Sequence, residues 1–545
     1  MWKKHPRALP FLFFSEMWER FGYYLMIGIY TLYLKDSVKG YNMNEAESAN
    51  LYGTYIALVF FTPFLGGLIA DRILGYRKSI ILGGILMGLG YCIMGVHNIN
   101  VLYVAMTLVI VGNGFFKPNI STLLGNVYSV PEHNHQKDEG YNIFYMGVNI
   151  GAFICNFFGA ALYLTYGWSA AFMAAGVGMF IGVIIFIAGN KHYSGFDVKK
   201  PLQKGDMSIG QIVMVCILPS IITGAIGWLI PGVIFDSNST DAFIFACIPV
   251  VVFYALLYFR SNAEEKRPMG AMLAIFAVVV LFWAVFKQNG TALNTWANNY
   301  TNRTLTGASA DVFTSLKLAK PVTYTKDTVA KAKIDDQFRK IKENGAVVKE
   351  LSYPDYFKNM KPEERPNEGD RVTLWSTNLS QSINPFWVVF LTPLVVAFFA
   401  WLRRRGKEPS TPTKIAWGLF ISALSVLVMV AAVKAGNGNT EKVGIWWLIG
   451  SYGVITIGEL FLSPMGLSLV SKLSPVRITS LMMGGWFLAT SIGNKLSGIL
   501  ASKWDEYTDK TNYFWLNFIL LMAAALFLFL MLRWLNRVMK EKGVN

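Results

Sequence analysis

Charge is what this 545-residue chain lacks: Asp, Glu, Lys and Arg together make up only 15% of it. A soluble protein of that length covers itself with a charged skin, and this composition does not supply one. Cysteine is scarce as well. Cys92, Cys155, Cys216 and Cys247 all lie inside apolar stretches, with no CxxC spacing and no neighbouring histidine. They therefore read as packing residues rather than as a disulfide framework or a zinc site. The five histidines do not cluster, and HExxH, GxSxG and P-loop spacings are missing, so metal hydrolysis and ATP-driven pumping have no sequence signal. No enzyme activity, cofactor or metal is expected.

Apolar residues are abundant, at 54% of the chain with a mean hydropathy of +0.41. Stretches long enough to cross a hydrocarbon core of roughly 30 Å recur from end to end. They fall at 10–34, 51–70, 79–97, 101–124, 141–165, 170–189, 209–230, 242–259, 271–293, 384–402, 415–433, 445–464, 479–501 and 513–534. This pattern predicts an all-α polytopic protein with fourteen spans, its partner the lipid bilayer. The net charge of +16 is then a matter of topology and not of nucleic acid. Threading fourteen helices alternately puts Arg72, Arg77 and Lys78, Lys191 to Lys204, Arg260 to Arg267, Arg403 to Lys407, Lys472 and Arg477, and Arg533 to Lys540 on one side. By the positive-inside rule that side, with both termini, is cytoplasmic. The N-terminal string Met-Trp-Lys-Lys-His-Pro-Arg precedes an apolar segment without a small-residue cleavage site, so the first helix is expected to be retained.

One segment breaks the rhythm. Residues 294–382 are polar, carry Pro321, Pro354, Pro362 and Pro366, and fall on the outer side. Val329, Ile334, Phe338 and Ile341 stand at near-helical spacing within 326–344, which favours a small folded cap with a helix over a disordered linker. Trp2, Trp168, Trp296, Trp401, Trp446 and Trp504 lie near span ends and are expected in the interfacial aromatic belt.

Gly112-Asn-Gly-Phe115-Phe-Lys117-Pro118 and Gly458-Glu459-Leu-Phe461-Leu-Ser463-Pro464 place Gly, Phe and Pro in register. With the seventh and eighth spans set aside as an insertion, both strings occupy the fourth helix of a six-helix half. Two repeated halves with Gly/Pro-interrupted helices around a central cavity are a transporter pattern. The expected domains are thus 1–190, a six-helix bundle; 191–270, a linker with two extra helices; and 271–545, a second bundle carrying the insert.

Charges inside the spans are the strongest functional signal. Glu16, Glu19 and Arg20 share one helix face by their i, i+3 and i+4 spacing. A charge at mid-membrane costs roughly 2.5–3.5 kcal/mol on insertion scales, so three together imply an aqueous cavity and partners. Lys117, beside Pro118, needs a counter-charge, and the first-span carboxylates are the natural one. Glu459 is a candidate for holding a cationic group or a proton. Lys287 either reaches the cavity or snorkels to the outer surface. Trp486 and Thr490, one turn apart, either line a cavity or pack.

The strings Glu16-x-x-Glu19-Arg20-Phe21-x-Tyr23-Tyr24, Gly66-Gly67-Leu-Ile-Ala70-Asp71-x-x-x-Gly75 and Tyr141-x-x-Phe144-Tyr145-Met-x-Val-Asn149-Ile-Gly151 resemble three ordered signatures of the proton-dependent oligopeptide transporters in the major facilitator superfamily. The resemblance implies two six-helix bundles, two extra helices and import of di- and tripeptides with protons by alternating access. It implies Glu16, Glu19, Arg20, Lys117 and Glu459 for proton coupling, and Tyr23, Tyr24, Lys117, Asn149, Lys287, Asn384, Glu459, Trp486 and Thr490 around the peptide. Three positions depart from the family pattern: Ile27 where an arginine is usual, Phe60 where a tyrosine is common, and Lys287 where an acid is usual. Two other readings stay open. One is transport of another small anionic or amphipathic solute, and the other is a non-transporting membrane subunit that docks a protein partner through 294–382.

Overall fold

The computed structural model describes residues 5–128, 130–133, 137–197, 208–230, 238–325, 329–332, 342–343, 346–352, 355–357, 360, 362–474 and 479–541. Six helices come first: α1 (Leu9–Lys35), α2 (Glu45–Ile69), α3 (Tyr76–Met94), α4 (Ile99–Val127), α5 (Lys137–Tyr166) and α6 (Trp168–Ala188). Next, α7 (Ile209–Ile212) runs through a π turn into α8 (Leu218–Leu229), followed by α9 (Asn238–Arg260). A 3-10 turn, Lys287–Gly290, joins α10 (Ala263–Phe286) to α11 (Ala292–Asn299), and α12 (Gly307–Ser315) lies in the insert. The chain closes with α13 (Ile383–Arg404), α14 (Thr411–Ala435), α15 (Trp446–Leu473), α16 (Thr479–Ser502) and α17 (Lys510–Glu541).

Polar caps start several of these helices where the sequence provides them. Asn44 accepts from Glu47 N while Glu47 returns a bond to Asn44 N, a complete capping box, and Asn98, Asn262 and Ser410 cap α4, α10 and α14. Among the described residues, twelve helical stretches are long and apolar enough to cross a membrane. The long helices α1 and α16 fall outside that set. Both are nevertheless packed among the others, α1 against α5 and α6 and α16 against α2 and α10, so the count of fourteen rests on these two.

The first six helices enclose one apolar core, with Leu12, Tyr30, Tyr55, Phe116 and Phe172 inaccessible to solvent. A second core lies among α10 and α13–α17, around Met272, Phe282, Leu419, Leu462 and Leu528. The internal repeat is visible in how the helices approach. A Cβ on Gly112 of α4 would stand 2.6 Å from Gly83 O of α3, and one on Gly458 of α15 would stand 2.6 Å from Gly418 O of α14. The same glycine thus permits the same backbone contact in both halves, between the third and fourth helix of each. The extra pair α8 and α9 pack on each other and reach α2 through Phe243 and Cys247, which surround Ala57.

The halves are bonded from mid-depth to the end that carries the insert. Ser491 Oγ donates to Ala57 O at 2.6 Å and Lys495 Nζ donates to Thr54 Oγ1 at 2.6 Å. Nearer the insert, Thr31 Oγ1 donates to Gly290 O at 2.9 Å, Asn294 Nδ2 to Thr31 Oγ1, and Thr295 Oγ1 to Glu45 Oε1 at 2.7 Å. Asn156 and Asn378 add further bonds between α5 and the 3-10 turn Thr377–Ser382. Among the described residues, every side-chain hydrogen bond between the two halves lies in this part of the molecule.

The insert is folded, but differently from its apolar spacing. Strands β1 (Thr304–Leu305), β2 (Ala319–Thr323) and, from the far end, β7 (Arg371–Trp375) form an antiparallel sheet in the order β1-β7-β2. Tyr324, Tyr356, Phe357 and Leu374 cluster against it. Val329, expected on a helix, lies instead in β3 (Val329–Ala332), which pairs with β6 (Lys349–Ser352), while β4 (Lys342–Glu343) pairs with β5 (Ala346–Val347). Ile334, Phe338 and Ile341 lie outside the described residues. Pairing with a distant strand overrides a short helical spacing, because a strand's partner is not encoded locally. The insert also begins later than residue 294, since α11 carries the tenth helix on to Asn299. Trp296 and Trp504 are not belt residues either: at 1% and 0% exposed they are core, stacked on Tyr300 and edge-on to Tyr513.

Candidate functional site

The charge cluster predicted on α1 is present and buried. Glu16, Glu19 and Arg20 are all buried. Arg20 Nε lies 3.0 Å from Glu16 Oε1 and also contacts Glu19 Oε2, so one guanidinium holds both carboxylates. Its face sits 5.2 Å over the Tyr23 ring. Glu16 Oε2, both carboxylate oxygens of Glu19 and Arg20 Nη2 have no hydrogen-bond partner among the described residues, so Glu19 is held by charge alone. The cluster therefore carries two acids against one base, with spare acceptors, and is open to one further positive charge or a proton.

Lys117 was expected to supply that charge, and here it does not. Among the described residues it forms no ion pair within 4.0 Å. Its ammonium stands 3.9 Å over the Phe60 ring of α2, close enough to feel Glu19 and Glu16 without bonding them. Arg20 wins both carboxylates because its position, one turn from Glu16 on the same helix, is fixed by helical spacing, whereas Lys117 must reach across from α4. Lys287 does not snorkel. It follows the last residue of α10, is buried, and places its ammonium 5.3 Å from the same Phe60 ring, with Trp283 at 5.4 Å and Phe286 at 5.8 Å.

Glu459, on α15, accepts from Asn384 Nδ2 at 3.1 Å, and Asn384 Nδ2 also reaches Thr456 Oγ1 at 2.9 Å. Lys287 from the 3-10 turn after α10, Tyr24 from α1 and Tyr145 from α5 are its electrostatic neighbours. Asn149 donates to Tyr145 O at 2.9 Å, leaving the Tyr145 ring exposed at 42%. The structure therefore links Tyr24, Tyr145, Lys117, Lys287 and Glu459 as a chain of electrostatic neighbours in the centre between the halves, with Asn384 bonded to Glu459 and Asn149 to the Tyr145 backbone. Tyr23 is buried behind Arg20. Trp486 and Thr490 are set differently: Trp486 fills the space over Gly466 and meets Phe276 edge-on at 6.0 Å, and Thr490 bonds back to Trp486 O. In this arrangement both pack within the C-terminal half.

Two features escaped the sequence reading. Phe60 registers there only as a departure from a family pattern, whereas it is the shared ring under two ammoniums. Gln288, next to Lys287, accepts from Tyr513 Oη at 2.6 Å and donates to Asn517 Oδ1 at 2.7 Å, tying the turn that carries Lys287 to α17. A polar Lys-Gln-Asn run inside an otherwise apolar span is the signal that could have found it.

Comparison with known proteins bears on this geometry. The model of the POT family matches residues 77–318 and 376–516, more than half of the chain. The chain belongs to the POT family. Its relatives include the dipeptide and tripeptide permease A of Escherichia coli, 27% identical over 514 residues that cover 93% of this chain and 86% of that one. The uncharacterized transporter YclF of Bacillus subtilis is 28% identical over 523 residues, covering 94% and 90%. Among solved structures, peptide transporter POT in complex with sulfate superposes with a TM-score of 0.75 at 26% identity, over 99% of this chain and 96% of that one. A mutant of peptide transporter POT in complex with alafosfalin gives 0.71 at 26% identity, over 99% and 97%. The fold is that of the major facilitator transporters. The match of the model breaks at 319–375, within the insert.

Proposed function

We propose that this protein is a proton-coupled symporter that imports di- and tripeptides by alternating access. The observation that carries the reading is the separation of charge around the central space. An acid on the C-terminal half, Glu459, and bases from both halves, Lys117 and Lys287, suit the two ends of a zwitterionic peptide. Glu459 takes the peptide's amino terminus and Lys117 its carboxylate, with Tyr24, Asn149, Lys287 and Asn384 completing the pocket and Tyr23, Trp486 and Thr490 packed behind it. Glu16, Glu19 and Arg20 form the proton-responsive set, to which Lys117 moves when the substrate leaves, and Glu459 contributes to coupling. Hydrogen bonds between the halves that, among the described residues, run from mid-depth to the insert end support assignment of this conformation as closed outward and open to the side of the termini. That side is the cytoplasm and the membrane the cell's inner membrane, as the basic loops argue. The bundles 1–190 and 271–545 are the two moving bodies, 191–270 joins them, and the 294–382 segment offers an outer surface to a protein partner.

The test is uptake of a labelled dipeptide into proteoliposomes under an imposed inward pH gradient. Accumulation that collapses with a protonophore supports the reading, and uptake of another solute insensitive to dipeptides replaces it.

A further inference from the structure

The central space holds more positive charge than a neutral dipeptide can satisfy. Both carboxylates of α1 are engaged by Arg20, and Glu459 is the remaining acid, facing Lys287 electrostatically and held by Asn384. Against it stand two ammoniums, Lys117 and Lys287, neither with an ion pair within 4.0 Å among the described residues. Both lie within 5.3 Å of the centroid of Phe60, so they are neighbours, repel each other and gain only ring contacts in return. When the amino group of a peptide takes Glu459, a single carboxylate neutralises one lysine and strands the other. A buried ammonium without a partner is costly, and a second carboxylate next to the first removes that cost.

We infer that the Lys117–Phe60–Lys287 site recognises a pair of neighbouring carboxylates, and that the preferred substrates are peptides whose C-terminal residue is acidic. One residue then carries both anions, its α-carboxylate and its side chain, to two ammoniums on one ring. Phe60 contributes because it cannot donate: a hydroxylated ring there would compete for the carboxylates, whereas the bare face leaves all ammonium donors to the ligand. Trp283 and Phe286 close the apolar wall beside Lys287 and hold its ammonium toward the space.

This inference rests on the peptide reading above, and the experiment separates the two. Binding of Ala-Glu and of its neutral isostere Ala-Gln is measured by calorimetry on the purified full-length protein at neutral pH, for the wild type, Lys287→Gln and Lys287→Arg. The wild type binds Ala-Glu about tenfold more tightly than Ala-Gln, the size of one hydrogen bond to a charged group. Lys287→Gln abolishes that preference, and Lys287→Arg keeps it. Equal or weaker binding of Ala-Glu by the wild type overturns the inference while leaving peptide binding intact. So does a preference that survives in Lys287→Gln. The wild-type ratio and the Arg variant decide the matter if the Gln variant does not fold. If neither dipeptide binds the folded wild type, the peptide reading itself fails and this inference falls with it.

Discussion

The charges of the N-terminal and central regions differ in burial and in how they are satisfied: Glu16, Glu19, Arg20 and Lys287 are buried, whereas Lys117 and Glu459 are half-buried. On α1, Arg20 takes Glu16 and Glu19 within one turn of a single helix. Around the central space, Lys117, Lys287 and Glu459 come from three elements, and among the described residues no two of them form an ion pair. A cluster complete within one helix keeps its geometry when the halves rock, and changes state only when a proton or a competing cation arrives. A set distributed over α4, the turn after α10 and α15 is assembled by the conformation. On the function proposed above, that difference fits protons to the first and cargo to the second.

Removing the centre of the self-contained cluster has the largest expected effect. Arg20→Ala leaves two buried carboxylates uncompensated and is expected to lower stability by about 3–5 kcal/mol, read as thermal unfolding in detergent. A loss under about 1 kcal/mol would mean the cluster is hydrated and the contrast false. Next come the distributed charges. Lys117→Ala should abolish gradient-driven uptake in a protein that still folds, since a charge-assisted bond of about 1.5–3 kcal/mol disappears. Normal accumulation would leave Lys117 a packing residue. Glu459→Gln should weaken peptides with a free amino terminus by a similar amount and N-acetylated peptides far less, as equilibrium binding can show. Loss of the seal at the insert end is smaller: Thr31→Val removes the bonds to Gly290 and Asn294. It should shift the populations outward by about 1 kcal/mol, seen as longer spin-label distances across that end.

The smallest effect lies outside the membrane. Arg403 and then Lys414 hold Glu408 well below the ordinary carboxylate range, at about 2. A depressed carboxylate contributes stability above its unfolded-state pKa and loses it as the pH falls toward the folded value. Glu408→Gln should therefore cost roughly 0.5–1 kcal/mol at neutral pH, given its partial exposure, and the gap to wild type should narrow as the pH drops from about 5 toward 2. A gap that widens on acidification would reverse the sign.

What the sequence disclosed followed from range. Glu16, Glu19 and Arg20 are local, and helical spacing alone put them together. The Gly112 and Gly458 repeat was legible because a glycine in register has one packing consequence, and both halves show it. The Phe60 platform was not legible: it needs α2, α4 and α10 in one place, and no periodicity encodes that meeting. Val329 failed for the same reason, because its partner strand lies at Lys349–Ser352. Trp296 and Trp504 misled because proximity to a span end does not say which way a ring faces, and both face inward.

The division of labour between the two charge sets can be measured directly by running two exchanges on the same proteoliposomes, dipeptide counterflow without a gradient and dipeptide accumulation with one. Glu19→Gln, in the self-contained set, should retain counterflow and lose gradient-driven accumulation, whereas Glu459→Gln, in the distributed set, should lose both for peptides with a free amino terminus. If the two variants fail in the same way, or if Glu459→Gln keeps counterflow while Glu19→Gln loses it, the separation of proton site from cargo site is wrong.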